Sequence, residues 1–235
     1  MNTSDKTLTA FVPCRKGSER APLKNTRPFA NIKDGLIGIK LRQLLATNEI
    51  DHILVSTDDP LIFELCKRPE FQSHKPLTVV ERPAELATSD ATTDALIKHI
   101  PAIIPNGHIM WTQVTSPFIN STLYNALIKT YWKGLPNEHD SLMTVTPIQN
   151  FIWNKSGPVN YDRAIEKWPR TQTLEPLYII NNAVFIAPAE IYKKHQDKMG
   201  YNPKFHALNN IQELDIDWED DFKLCEALWP VKGKI

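Results

Sequence analysis

Segments typical of buried strands alternate with segments of helical periodicity along most of this 235-residue chain. Strands are predicted at 8–13, 52–57, 77–80, 108–112, 141–145, 178–186 and 205–208. Helices are predicted at 36–45, 61–66, 91–100, 122–132, 188–194 and 218–229. Such alternation favours an α/β fold in which helices cover a mainly parallel sheet. The length of the chain predicts a single domain, residues 1–235, with one added segment.

The alternation breaks between about residues 147 and 176, where tryptophans and prolines replace periodic segments. A structureless loop of that length is uncommon inside a compact domain. We therefore expect this segment to serve a function or an interface.

The charge balance limits the classes of partner. Lys plus Arg and Asp plus Glu each number 27, so the formal net charge is zero. That balance predicts neither nucleic acid nor an anionic membrane as a partner. Three cysteines without metal-binding spacing indicate free thiols in a reducing compartment. With no secretion signal or membrane-length apolar run in the sequence, the expectation is a soluble, cytoplasmic protein.

A basic loop follows the first strand, within residues 11–25. Its cations are Arg15, Lys16, Arg20 and Lys24, opposed only by Glu19. The Gly17-Ser18 pair allows close backbone approach and offers a hydroxyl group. Open α/β sheets bind nucleotides at the carboxyl ends of their strands, and cations there suit a polyphosphate. The alternative is a solvated basic turn.

Two carboxylates near the C-terminal end alternate with apolar residues. On an extended segment, Asp215 and Asp217 point to one face while Leu214 and Ile216 point to the other. Paired carboxylates of this kind suit Mg²⁺. The alternative makes Asp217 or a neighbour the N-cap of the last helix, whose dipole favours the acidic residues that follow.

Two further loops follow predicted strands. Residues 81–86 form a predicted irregular loop that contains Arg82, with Ser89 or Asp90 as the predicted N-cap of the next helix. Arg82 is alternatively a ligand-binding residue. The segment from Gln113 to Pro117 ends another strand and is predicted to face the same cleft as the basic loop.

Together these segments resemble the acylneuraminate cytidylyltransferase family. The resemblance spans residues 8–229 and rests on five blocks in the family's order, none of them specific alone. The blocks are 14–25 (CRKGSERAPLKN), 56–59 (STDD), 82–87 (RPAELA), 113–117 (QVTSP) and 215–221 (DIDWEDD).

The resemblance implies a Rossmann-like nucleotidyltransferase fold with a small dimerisation extension at 147–177, and a homodimer. It also implies a reaction. The anomeric hydroxyl of a 2-keto sugar acid attacks the α-phosphorus of CTP, and pyrophosphate leaves with assistance from Mg²⁺.

Residue roles are carried over by position. Arg15, Gly17, Ser18 and Lys24 would bind the phosphates, Asn25 and Arg82 the cytosine, and Ala87 and Ser89 the ribose. Gln113, Thr115, Ser116, Arg170, Gln172 and Asn181 would bind the sugar acid. Asp215 and Asp217 would hold Mg²⁺, and they would be catalytic together with Arg15 and Lys24.

The chain also departs from the family pattern. Glu19-Arg20 replaces a Lys-Gly pair, Val114 replaces a proline, and Asn182 stands where glycine is common. Most departures fall on the sugar side, so the acceptor stays open among sialic, legionaminic, pseudaminic and other nonulosonic acids. The alternatives are a nucleotidylyltransferase for 3-deoxy-manno-octulosonate or a sugar 1-phosphate, and a catalytically silent nucleotide-binding relative.

Overall fold

A computed structural model describes residues 6–72 and 75–235, and seven of its strands form one twisted sheet. The strands are β1 (Leu8–Pro13), β2 (His52–Thr57), β3 (Leu77–Glu81), β4 (His108–Thr112), β5 (Ser141–Ile148), β6 (Trp153–Asn154), β7 (Gly157–Pro158), β8 (Leu177–Pro188) and β9 (Pro203–Ala207). The order in the large sheet is β3-β2-β1-β4-β8-β5-β9.

The sheet is mainly parallel, as the alternation predicted. Strands β3, β2, β1 and β4 pair in parallel, and so do β5 and β9. Strand β8 runs antiparallel to both of its neighbours, β4 and β5. It enters the sheet from a long connection without a crossover helix, whereas parallel pairing requires a crossover.

Helices cover both faces of the sheet. They are α1 (Gly35–Leu45), α2 (Pro60–Cys66), α3 (Ala84–Ala87), α4 (Thr93–Ile103), α5 (Ser121–Gly134), α6 (Ala189–Lys194) and α7 (Glu219–Lys232). Alternate strand residues feed two cores, so that Met110 of β4 joins the core beneath α1, α5 and α7, while Trp111 joins the one beneath α4 and α6.

Two local predictions were wrong. The irregular loop predicted at 81–86 contains the start of α3. The N-cap of α4 is Thr92, whose hydroxyl accepts a hydrogen bond from the Ala95 amide at 3.1 Å, rather than Ser89 or Asp90. Several polar residues precede this helix, and any of them can act as a cap.

Residues 149–176 form an arm on the β5–β8 pair. Strands β6 and β7 make a short hairpin, and a 3₁₀ turn spans Thr171–Thr173. The arm has a small aromatic cluster in which Phe151 packs edge-on against Tyr161 and Trp168. The predicted extension at 147–177 therefore overlaps the strand ends, because Ile148 pairs with Leu177.

Cys14, Cys66 and Cys225 are free thiols, as the sequence predicted, and the structure buries all three. None of the helices in the described part of the chain is long and apolar enough to cross a membrane. Residues 1–5, part of the segment in which no secretion signal was found, lie outside the described residues.

Candidate active site

The strand order reverses between β1 and β4, and a cleft lies at the carboxyl ends of these two strands. Open α/β sheets bind ligands at such a switch point. The cleft has a volume of about 560 Å³. Among the residues predicted to form a site, it is lined by Arg15, Ser18, Lys24, Asn25, Arg82, Ser89, Gln113, Thr115, Asp215 and Asp217.

The basic loop is held in place by its backbone. Gly17 has φ of +76°, in the left-handed region that disfavours other residues, and this lets the chain turn after Lys16. The amide of Lys16 donates to a carboxylate oxygen of Asp58 at 2.6 Å, which joins the loop to the end of β2. The Asn25 side-chain amide donates to the carbonyl of Arg15 at 3.3 Å.

The acidic segment runs extended along the loop after β4. Ile216 is fully buried, and its amide donates to the Thr115 carbonyl at 2.9 Å. Because side chains alternate along an extended segment, Asp215 and Asp217 then both line the cleft, as their spacing predicted.

Basic and acidic segments pair directly across the cleft. Lys24 Nζ donates to the Ile216 carbonyl at 2.5 Å and lies 3.5 Å from the Asp217 carboxylate. The Arg20 guanidinium lies 3.1 Å from the same carboxylate and 5.2 Å from the centre of the Trp218 ring. The two ends of the chain thus form one site in which opposite charges face each other.

Burial shapes the electrostatics of this pairing. It lowers the pKa of Lys24, although Asp217 and Asp215 act in the opposite direction. It raises the pKa of Asp215, although a hydrogen bond from Thr115 opposes the shift. The Ser116 hydroxyl is also 3.4 Å from the Asp215 carboxylate. Asp215 is therefore a desolvated carboxylate that would gain from a cation in the cleft.

The alternative, in which Asp217 or a neighbour caps the last helix, holds for the neighbour Trp218 and not for Asp217. Trp218 is the N-cap of α7, and the Asp221 carboxylate accepts hydrogen bonds from the amides of Trp218 at 2.7 Å and Asp217 at 3.1 Å. Asp221 therefore supports the helix start, which leaves the Asp217 carboxylate for Arg20 and Lys24.

The donor set fits a magnesium ion. Asp215 and Asp217 offer oxygen ligands, which hard cations prefer. Among the described residues no group of three or more His, Cys, Asp or Glu side chains is placed to hold a metal. Mg²⁺ normally completes its coordination shell with waters and substrate phosphates, so two carboxylates beside a basic loop are sufficient.

Arg82 is nearly buried at the cleft wall. Its guanidinium donates to the carbonyl of Ser56 at 2.9 Å and to the Ser56 hydroxyl at 3.3 Å, and burial lowers its pKa. These contacts fix Arg82 against the end of β2. Ser89 lies farther along the same wall, in the connection between α3 and α4.

Six predicted site residues do not line the cleft: Gly17, Ala87, Ser116, Arg170, Gln172 and Asn181. Ser116 lies beneath Asp215, and the Asn181 side chain bonds to Thr144 and Thr146 of β5. Arg170 and Gln172 are exposed on the arm. Their predicted roles in sugar binding stay predictions.

The cleft also contains Trp111, Asn182 and Lys198, to which the sequence analysis assigned no role in binding. Lys198 belongs to the irregular connection between α6 and β9, where nothing periodic marks it. Asn182 was noted because it replaces the glycine of the family pattern, but the sequence did not indicate where its side chain points.

A mainly parallel sheet with a basic loop, a carboxylate pair and a cleft at its switch point is the arrangement in which open α/β proteins bind ligands. The sequence model of the family described as Cytidylyltransferase matches residues 9–232, so the chain belongs to that family.

Individual relatives agree with this assignment. The chain is 28% identical over 226 residues to an N-acylneuraminate cytidylyltransferase of Streptococcus agalactiae serotype V, covering 90% of this chain and 51% of the relative. It is also 28% identical to a CMP-N,N'-diacetyllegionaminic acid synthase of Legionella pneumophila, covering 94% and 95%. The chain spans about half the length of the streptococcal relative.

The fold has known counterparts. A CMP:2-keto-3-deoxy-manno-octonic acid synthetase complexed with CTP superposes with a TM-score of 0.65 at 12% identity, covering 96% of this chain and 99% of that one. A 4-diphosphocytidyl-2C-methyl-D-erythritol synthase from Anaerococcus prevotii has a TM-score of 0.64 at 14% identity, covering 96% and 99%. This likeness establishes the nucleotidyltransferase fold.

Proposed function

We propose that this protein transfers CMP from CTP to the anomeric hydroxyl of a nonulosonic acid, releasing pyrophosphate, with Mg²⁺ as its cofactor. The observation that carries the proposal is the pairing of the basic loop with Asp215 and Asp217 in one cleft. The family match and the names of its relatives support the nucleotide and the class of acceptor.

The residues of the cleft suit this chemistry. In-line attack of the hydroxyl oxygen on the α-phosphorus would form a new P–O bond as the bond to the departing pyrophosphate breaks, and the hydroxyl proton would leave to solvent. Arg15 and Lys24 supply positive charge where the triphosphate would lie, and charge stabilisation with positioning is the main requirement of such a transfer. Mg²⁺ bound by Asp215 and Asp217 would neutralise further phosphate charge.

Arg20 offers a cation in the loop position where the family pattern has Lys-Gly. Because Arg20 already contacts Asp217, we propose that it exchanges this carboxylate for a phosphate when the nucleotide binds. Arg82 and Asn25 border the cleft at the positions proposed for the cytosine, and Ser89 at the position proposed for the ribose.

The test of the acceptor class is a panel assay. Purified protein with CTP and Mg²⁺ is given sialic, legionaminic and pseudaminic acids, 3-deoxy-manno-octulosonate and sugar 1-phosphates, and pyrophosphate release is measured. We expect turnover with at least one nonulosonic acid. Turnover with sugar phosphates alone would overturn the proposal, and CTP binding without any turnover would favour a catalytically silent relative.

The metal role has a separate test with a matched control. We expect Asp215→Asn and Asp217→Asn each to lower kcat by at least about 100-fold, because the charge that holds the cation is lost. The control is Asp220→Asn. The Asp220 carboxylate is exposed, lies three residues from Asp217 and is outside the cleft, so this variant should leave kcat unchanged. Thermal unfolding checks that each variant is folded. Full activity of the Asp215→Asn/Asp217→Asn double variant, or in excess chelator, would refute the metal role.

The arm and the first half of β8 support a homodimer. Large apolar side chains exposed there are Trp153, Val159, Ile165, Trp168, Tyr178, Ile179 and Ile180. Large exposed apolar side chains concentrated in one part of a protein are typical of a protein–protein interface. Light scattering on the purified protein measures the oligomeric state directly, with about twice the monomer mass expected.

A further inference from the structure

Lys198 extends into the cleft beside the two strands farther from the basic loop. Its Nζ lies 4.0 Å from the centre of the Phe185 ring of β8 and 5.3 Å from that of Trp111 of β4. Phe185 lies one strand beyond β4, whereas the loop that contains Arg15 and Lys24 follows β1 on the other side of β4. Lys198 therefore occupies the side of the cleft away from the basic loop.

Within the described residues, the direct contacts of the Lys198 ammonium group are with neutral groups. None of the ion pairs among the described residues includes it, and its side-chain hydrogen bond goes to Oδ1 of Asn182 at 3.3 Å. The neighbouring Asp197 instead accepts a hydrogen bond from the Lys198 backbone amide at 2.6 Å. Burial lowers the pKa of Lys198 to about 8, although the nearby Asp197 carboxylate favours the charged form. A half-desolvated cation with a neutral partner gains from contact with an anion.

The local backbone of β8 places Asn182 next to this group. The pairing of β5 with β8 shifts between Met143 and Val145, and the Thr144 hydroxyl donates to Oδ1 of Asn181 at 2.7 Å. Asn182 follows with φ of +57°, a left-handed conformation that asparagine tolerates better than most residues. The irregularity turns the Asn182 side chain into the cleft, as bulges do near active sites.

We propose that Lys198, held in position by Asn182, binds the carboxylate of the sugar acid acceptor. The proposal rests on the proposed function and adds a specificity residue to it. The triphosphate has its own cations on the far side of β4, and a single ammonium group beside a neutral amide matches a monoanion. The glycine common at position 182 in the family pattern has no side chain, so this chain supports Lys198 in a way that glycine does not.

The test uses the nonulosonic acid that the wild-type protein turns over, together with the primary carboxamide of that acid. Lys198→Met keeps an apolar side chain of similar length and should raise KM for the acid roughly 10- to 100-fold, the loss expected for one hydrogen bond to a charged group. KM for CTP should stay unchanged. The wild-type preference for the acid over its carboxamide should disappear in this variant.

Three further variants separate recognition from folding. Lys198→Arg should recover a large part of the acid affinity, because it retains the charge. Asn182→Gly removes the amide while suiting the positive φ, and should raise KM for the acid by a smaller factor than Lys198→Met. Lys194→Met changes an exposed lysine that pairs with Glu190 at 3.4 Å, outside the cleft, and should change neither KM.

Each outcome bears on the proposal. An unchanged KM for the acid in Lys198→Met, or equal losses on the acid and the carboxamide, overturns the role of Lys198 while the proposed function stands. Wild-type protein that turns over no nonulosonic acid overturns both. A Lys198→Met variant that fails to unfold cooperatively is replaced by Lys198→Gln, and the same comparison of acid with carboxamide decides.

Discussion

Lys40 is an ammonium group in the interior of the protein, with no exposed surface. Its Nζ donates to the Ser116 carbonyl at 2.9 Å and to the Tyr124 hydroxyl at 2.6 Å. These contacts tie α1 to the loop beneath Asp215 and to α5. Burial lowers the pKa of Lys40 to about 7, although Asp215 opposes the shift.

This pKa predicts how the free energy of unfolding changes with pH. The folded state releases the Lys40 proton near pH 7, whereas the unfolded state keeps it until about pH 10.5. Between these values the unfolded state binds more protons, so stability rises with pH. Relative to Lys40→Met, the free energy of unfolding of the wild-type protein should rise by up to about 1.4 kcal/mol per pH unit in this window. Urea denaturation at several pH values measures this difference.

Lys129→Met is the matched control for Lys40→Met. Lys129 lies on α5 with 63% of its side chain exposed, so its loss removes an ammonium group that remains in solvent on folding. The stability difference between wild type and this variant should show little change with pH. A difference for Lys40→Met that is equally flat would contradict the buried-charge interpretation.

The sequence predicted site residues where a local pattern encodes geometry. Asp215 and Asp217 were identifiable because alternation with Leu214 and Ile216 fixes which face they occupy. Lys198 was not, because its place depends on how the α6–β9 connection packs against Trp111 and Phe185. Contacts between segments that are distant in the chain produce no periodic pattern in the sequence.

Among the helices, α1 depends on a carboxylate that precedes its first turn. Asp34 accepts from Arg42 of α1 at 2.5 Å and from Arg68, two residues after α2, at 2.6 Å. Burial alone would raise the pKa of Asp34, but the two guanidinium groups outweigh it and lower the pKa. Asp34 thus joins the start of α1 to the end of α2.

Replacing this carboxylate should destabilise the protein at neutral pH. We expect Asp34→Asn to lower the free energy of unfolding by about 1 to 2 kcal/mol, less than two fully buried charged hydrogen bonds because both arginines are partly exposed. Because the folded-state pKa is depressed, this contribution is present above the unfolded pKa and lost as pH falls below it. Denaturation at pH 7 and at pH 3 therefore should show the difference shrinking.

Glu64→Gln is the control for the Asp34 prediction, since Glu64 forms a solvent-exposed ion pair with Lys67 at 2.8 Å. Exposed pairs of this kind contribute little. A larger loss in Glu64→Gln than in Asp34→Asn, or an Asp34→Asn difference that grows on acidification, would count against the bridging role.

Helices and strands were predictable where the apolar periodicity extended over many residues, but the residues at which they begin and end were not predictable. The acidic start and Pro60 marked α2 correctly, because Asp59 caps it and proline suits the first turn. The start of α4 was predicted at the wrong residue. Several residues before this helix can act as an N-cap, and tertiary contacts determine which of them does.

On the scale of the whole molecule, the alternation predicted the sheet but not every strand direction. Crossover helices force β1, β2, β3 and β4 to run in parallel. The direction of β8 depends on the arm at 149–176, whose sequence has no period. Arg170 and Gln172 are exposed on the arm and do not line the cleft of their own chain.

If two chains pair through their arms and β8, Arg170 of the partner subunit serves the cleft, as the family resemblance implies. Arg170→Ala should then lower activity, and so should Asp215→Asn. Refolding the two variants together at equal amounts gives heterodimers in which one site carries both changes and the other none. Random pairing makes about half of the dimers hybrid, so activity should recover to about a quarter of wild type. Pyrophosphate release measures this recovery. Mixing Asp215→Asn with Asp217→Asn is the control. Both residues line the cleft of their own chain, so each site of such a hybrid carries one change and activity should not recover. Absence of recovery in verified Arg170→Ala/Asp215→Asn heterodimers would mean that Arg170 acts within its own chain or not at all.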